Sequence, residues 1–145
     1  MIVEEPLIDW DVYKQTRDEL GGAYVGILGY FREDGTKSVA AIETAMRDNN
    51  AAALVIPAHT LKGESHQFGA ERLGALAEKI EYFARHCVEA QQTPEEYVQE
   101  VVMLRPLFEE TLMELERDAN PLVQRKDPTA LGLNPLCSAT GGLIG

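Results

Sequence analysis

The chain has 145 residues, with thirteen basic against twenty-four acidic side chains and a formal net charge of −11 at pH 7. That length supports one domain with a sizeable core and is short for two. The negative balance repels nucleic acid and anionic membrane surfaces, so neither is an expected partner and a protein is. Residues 1–6 have no basic or apolar signal region, and no apolar run reaches bilayer length, so a cytoplasmic location is expected. Cys87 and Cys137 form no CxxC pair and lie far apart, which predicts two reduced thiols and neither a metal knuckle nor a disulfide framework.

Helical periodicity recurs along the chain, and no segment alternates like a half-buried strand, so the fold class is all-α. A short first helix is predicted after the N-cap Asp9, carrying Trp10, Val12 and Tyr13 as a lid on one bundle end and stopped by Gly21-Gly22. The second helix follows Tyr24, Ile27, Leu28, Phe31, Val39, Ile42 and Met46, with Gly35 as the expected kink. Asp48-Asn49-Asn50 separates it from a third helix with a narrow apolar stripe of Leu54, Ala58, Leu61, Ser65 and Phe68. Pro57 must stand near the start of that helix or bend it, and a bend is favoured because Leu54 already fits the stripe.

The chain turns at Gly69, and a fourth helix buries Leu73, Leu76, Ala77, Ile80, Phe83, Ala84 and Cys87. Thr93-Pro94-Glu95-Glu96 reads as an N-cap, a first-turn proline and a capping-box glutamate opening the fifth helix. Its stripe is Val98, Val101, Leu104, Phe108, Leu112 and Leu115, with a kink at Pro106. Four amphipathic helices on short links bury their stripes best as an antiparallel four-helix bundle. Residues 1–118 make this domain, and residues 119–145, rich in proline and glycine, form a flexible C-terminal tail.

The chemistry concentrates on the third helix. At roughly 100° per residue His59 falls about 130° from the buried stripe, so its imidazole is exposed, with Gly63 one turn above it and Lys62 diagonally above. A glycine inside a helix costs about 1 kcal/mol relative to alanine. At Gly63 the absent Cβ leaves room over the imidazole for a phosphoryl group or a partner's active-site rim, and Lys62 supplies positive charge for a phosphorylated ring. Taken singly, His59 reads as a solvated surface histidine and Lys62 as one more exposed lysine; their spacing from each other and from two glycines argues otherwise.

Ala58-His59-Thr60-Leu61-Lys62-Gly63, with Gly69-Ala70 and Leu73, resembles the signature of histidine-containing phosphotransfer (HPt) domains of bacterial two-component phosphorelays, over about residues 8–117. The resemblance implies that His59 is the phospho-acceptor, Lys62 the phosphoryl-facing lysine, Gly63 the close-approach residue and Gly69 the turn between the central helices. It implies reversible exchange of a phosphoryl group with aspartyl phosphates of response-regulator receiver domains, fed by a sensor or hybrid histidine kinase. Mg²⁺ is then expected on the receiver, with no cofactor of the chain's own and no autokinase activity. No dimer is required, so a monomer is expected. Two positions depart from the family's habit: Glu64 follows the helix glycine where many members have a small residue, and Glu81 stands where many have glutamine.

Val55 and Ile56, with Arg72 and Lys79 from the next helix, are candidates for an apolar docking patch with basic edges, against ordinary packing and solvated charge. His66 is either a rim residue of that surface or an uninvolved histidine. Seven residues from His59, about 10.5 Å along the helix, it is too far to share a metal, and His86 beside Cys87 lacks further ligands, so no metal site is expected. The alternatives that remain are a histidine-kinase dimerisation domain, a non-catalytic helical adaptor and, more distantly, a metal-binding bundle.

Overall fold

The computed structural model of the protein describes residues 5–119. The expected tail lies outside these residues, except Ala119, which still belongs to the last helix, and so does Cys137. Five α-helices occupy the described chain: α1 (Trp10–Leu20), α2 (Tyr24–Arg47), α3 (Ala51–Gln67), α4 (Glu71–Ala90) and α5 (Val98–Ala119). Among the described residues, 5–112 form one compact unit, and residues 113–119, where Arg117 pairs with Glu114 at 3.3 Å, belong to a second.

Local chemistry sets most boundaries. The Asp9 carboxylate accepts from the backbone N–H groups of Asp11 at 3.1 Å and Val12 at 3.3 Å, capping α1. Asn50 caps α3 by accepting from Ala53 N–H at 3.1 Å. Gly69, at φ +75°, makes the turn into α4, and Ala70 N–H closes it onto Ser65 O at 2.8 Å. Pro57 lies well inside α3, which rules out a place at the helix start; the exposed Ala53 carbonyl that loses its helical donor can turn to water.

At Gly35, inside the continuous α2, the Phe108 ring fills the place a Cβ would take, so this glycine makes room for an aromatic side chain. One expectation requires correction. The Thr93-Pro94-Glu95-Glu96 run does not open α5 directly. Pro94 precedes a short 3-10 turn, Glu95–Tyr97, the Thr93 hydroxyl engages the Glu95 carboxylate instead of a helix N–H, and α5 starts at Val98. Val98 is consequently exposed, and the buried stripe of α5 begins at Val101.

Cross-helix pairs fix the bundle's directions. His59 and Lys62 of α3 meet Glu81 of α4 while His66 meets Glu71, so these helices run antiparallel. Lys79 with Glu100 and Phe83 with Tyr97 set α5 antiparallel to α4, and Arg105 with Glu43 and Phe108 with Phe31 set it antiparallel to α2. An aromatic series links the layers: Tyr13 of α1, Tyr24 of α2, Phe68 after α3, Phe31 of α2 and Phe108 of α5, in that order, stand with successive ring centroids 5.2–6.0 Å apart.

α1 closes one end of this core. Asp9 N–H donates to Gly69 O at 2.7 Å and the Thr16 hydroxyl to Gln67 O at 2.6 Å, satisfying carbonyls at the α3–α4 turn. Tyr13 is buried there, whereas Trp10 remains largely exposed. The fold is all-α and bundled, as the periodicity implies.

Candidate functional site

The third helix presents His59 on its outer side, with the side chain 57% exposed. The opposite stripe of Leu54, Ala58, Leu61 and Ser65 is buried, so core packing fixes the rotation of α3 and thereby the outward direction of the imidazole. A Cβ at Gly63 would meet nothing within 4 Å, so the space one turn above the ring is open.

Beneath the ring lies Glu81, its side chain only 8% exposed. Its Oε2 stands 3.0 Å from His59 Nδ1 and also receives Arg85 Nε at 3.0 Å and Nη2 at 2.8 Å. Oε1 takes the Lys62 ammonium at 2.9 Å. Burial on its own would raise the Glu81 pKa, but the hydrogen bonds from Lys62, Arg85 and His59 outweigh it and hold the carboxyl down to about 2. The carboxylate is therefore charged at any physiological pH and accepts only. In the neutral imidazole the proton must then sit on Nδ1, which leaves the Nε2 lone pair on the far side of the ring.

A second carboxyl couple follows Gly63 in the chain, between Glu64 of α3 and Asp34 of α2. Burial first, and the carboxyl of Asp34 on α2 second, push the Glu64 pKa up to about 7. Glu64 of α3 and Glu81 of α4 thus carry opposite protonation tendencies.

The tentative docking residues separate. Val55 is half-buried one turn before His59, and Ile56 is 68% exposed. Lys79 pairs with Glu100 at 3.3 Å and lines, with Lys62, Glu81, Tyr82 and Arg85, an open depression of about 480 Å³ beside the histidine. His66 rests against Gly74, where a Cβ would stand 2.5 Å from its ring, and faces Glu71 at 3.3 Å. Arg72 is turned away to the N-terminal segment, its Nε donating to Glu5 O at 3.1 Å. Gly69 sits at the turn, away from the imidazole.

Sequence reasoning marked Glu81 only as a departure and did not single out Arg85. The available signal was a charged residue inside a buried stripe: Glu81 shares the face of Ala77 and Ala84, four before and three after. Such a residue is retained when it has polar partners, and here three are supplied.

The family model of the Hpt domain matches residues 26–118. The chain therefore belongs to the Hpt domain family, the histidine phosphotransfer domains of phosphorelay signalling, which pass phosphate between kinases and receiver domains. The solved structure of histidine-containing phosphotransfer protein B (HptB) from Pseudomonas aeruginosa PAO1 superposes with a TM-score of 0.69 at 21% identity, over 83% of this chain and 96% of that one. At that identity the likeness is one of fold. Comparison with curated proteins gave no match. Among the described residues no helix is long and apolar enough to cross a membrane.

Proposed function

We propose that Nε2 of His59 is the atom that accepts the phosphoryl group from the aspartyl phosphate of one receiver domain and delivers it to a second. The observation that carries this is the Nδ1 contact with Glu81 at 3.0 Å, which reserves the other ring nitrogen for attack. In the forward step the Nε2 lone pair forms a bond to phosphorus, the P–O bond of the acyl phosphate breaks, and the aspartate leaves as carboxylate. The Nδ1 proton stays where it is, so no general base is required. The ring becomes a phosphorylated imidazolium whose positive charge faces Glu81.

Lys62, 26% exposed and diagonal to His59, steadies the phosphoryl oxygens, and the open space at Gly63 admits the receiver's rim. Mg²⁺ belongs to the receiver, and this chain needs no cofactor for its part. Val55 and Ile56 form the apolar centre of the docking face, with Lys79 and His66 at its margins. On this reading the chain is a monomeric, cytoplasmic relay component; one exposed histidine suffices as acceptor, and the net charge of −11 disfavours nucleic acid and anionic membranes as partners.

The test is transfer of labelled phosphate from an acyl-phosphorylated receiver domain to the purified chain and to His59→Gln. Acid-labile, base-stable label on the first alone supports the assignment. Binding without transfer across several receivers sinks it and favours an adaptor.

A further inference from the structure

The carboxylate at position 81 creates an electrostatic problem for an acceptor of phosphate. Its negative charge lies 2.9 Å from the Lys62 ammonium and neutralises it, yet the incoming phosphoryl group brings about two more negative charges. A neutral side chain at 81 would leave Lys62 free to meet that group. Lys79, the next cation on the depression, is held by Glu100 of α5 at 3.3 Å, and Glu78 on the same wall adds a further negative charge. Arg85 is the cation left to balance the carboxylate. It lies one turn beyond Glu81 on α4, grips Oε2 through Nε and Nη2, and remains 55% exposed, so its guanidinium also faces the depression beside His59.

We propose that Arg85 is a charge-compensating positioning residue for phosphoryl transfer at His59, required because position 81 is a carboxylate; the inference rests on reading His59 as the acceptor. By pairing with Oε2, Arg85 offsets Glu81 and returns the Lys62 charge to the phosphoryl oxygens. Arg is suited to this because it stays protonated whatever its surroundings and binds a carboxylate through two donors.

A small donor separates this role from receiver docking. In phosphoramidate the P–N bond breaks, Nε2 of His59 bonds to phosphorus, and ammonia leaves with its protons. Rates of phosphorylation by phosphoramidate are compared for the full chain, Arg85→Met, Arg85→Lys, Glu81→Gln, the Glu81→Gln/Arg85→Met double variant and His59→Gln, with circular dichroism on each. The expected result is a rate about threefold lower in Arg85→Met, recovery in Arg85→Lys, and no further loss when Arg85→Met is added to Glu81→Gln. Arg85→Met acting equally in both backgrounds, or not slowing the reaction at all, overturns the inference while leaving the acceptor intact. Equal labelling of His59→Gln and the unaltered chain refutes the acceptor itself, and this inference with it.

Discussion

Glu81 Oε2 lies 3.0 Å from His59 Nδ1, joining a carboxylate with 8% of its side chain exposed to an imidazole with 57% exposed. The buried member is held by His59 and Lys62 of α3 and by Arg85 of its own helix, and the exposed member is open to solvent. This division lets one residue fix the tautomer while the other meets a partner.

Removing the carboxylate should release the tautomer. In Glu81→Ala the neutral His59 ring is expected to distribute its proton over both nitrogens, and phosphorylation to slow by about two- to tenfold, the worth of one hydrogen bond. Nitrogen-15 NMR of the ring checks the first and labelled transfer the second. A ring still protonated only on Nδ1 in that variant would remove Glu81 from the mechanism.

Two glutamates should give stability opposite slopes with pH. Glu81 is depressed to about 2, so its contribution is present above its unfolded value of about 4.3 and is lost as pH falls toward 2. Glu64 is raised to about 7, so stability tied to its protonated form is full below about 4.3 and declines as pH rises through 7. Urea melts of Glu64→Gln at pH 8 should show a gain of about 1 kcal/mol over the unaltered chain, and little difference at pH 4.

Two helical glycines should respond in opposite ways. Gly63→Ala fills open space and should stabilise α3 by up to about 1 kcal/mol, whereas Gly63→Gln should obstruct transfer from a receiver while remaining folded. Gly35→Ala drives a Cβ into the Phe108 ring and should destabilise by about 1–3 kcal/mol. Thermal melts and transfer assays on the same three variants decide the matter.

Ile56 and Arg72 separate docking from support. Ile56→Asp places a charge on an exposed apolar side chain three residues before His59 and should weaken receiver association by about fivefold or more. Arg72→Ala removes the hydrogen bond to Glu5 O and should lower thermal stability by less than about 1 kcal/mol. Calorimetric titration with a receiver, alongside melting curves, measures both.

The helices and the outward face of His59 were legible in the sequence because both are local. Spacing within α3 alone puts His59 opposite Leu54, Ala58 and Leu61, and places Lys62 and Gly63 next to it. The caps Asp9 and Asn50 act within three residues of themselves, and the positive φ of Gly69 is a property of one residue. The start of α5 was misplaced because Thr93 found a partner in the Glu95 side chain, a local competitor to the helix N–H that a cap motif does not reveal.

What periodicity could not decide is which residues of different helices meet. Gly35 reads as a weakness in α2 until Phe108 is placed against it, and Arg72 as a surface cation until Glu5 is found beside it. Glu81 acquires its meaning only when antiparallel packing sets α4 against α3 and brings His59, Lys62 and Arg85 around one carboxylate. The sequence by itself determined which face of α3 bears His59, Lys62 and Gly63, since helical geometry is local; the tertiary structure alone decided what surrounds the imidazole, since Glu81 and its cations are groups that only packing brings within hydrogen-bond distance.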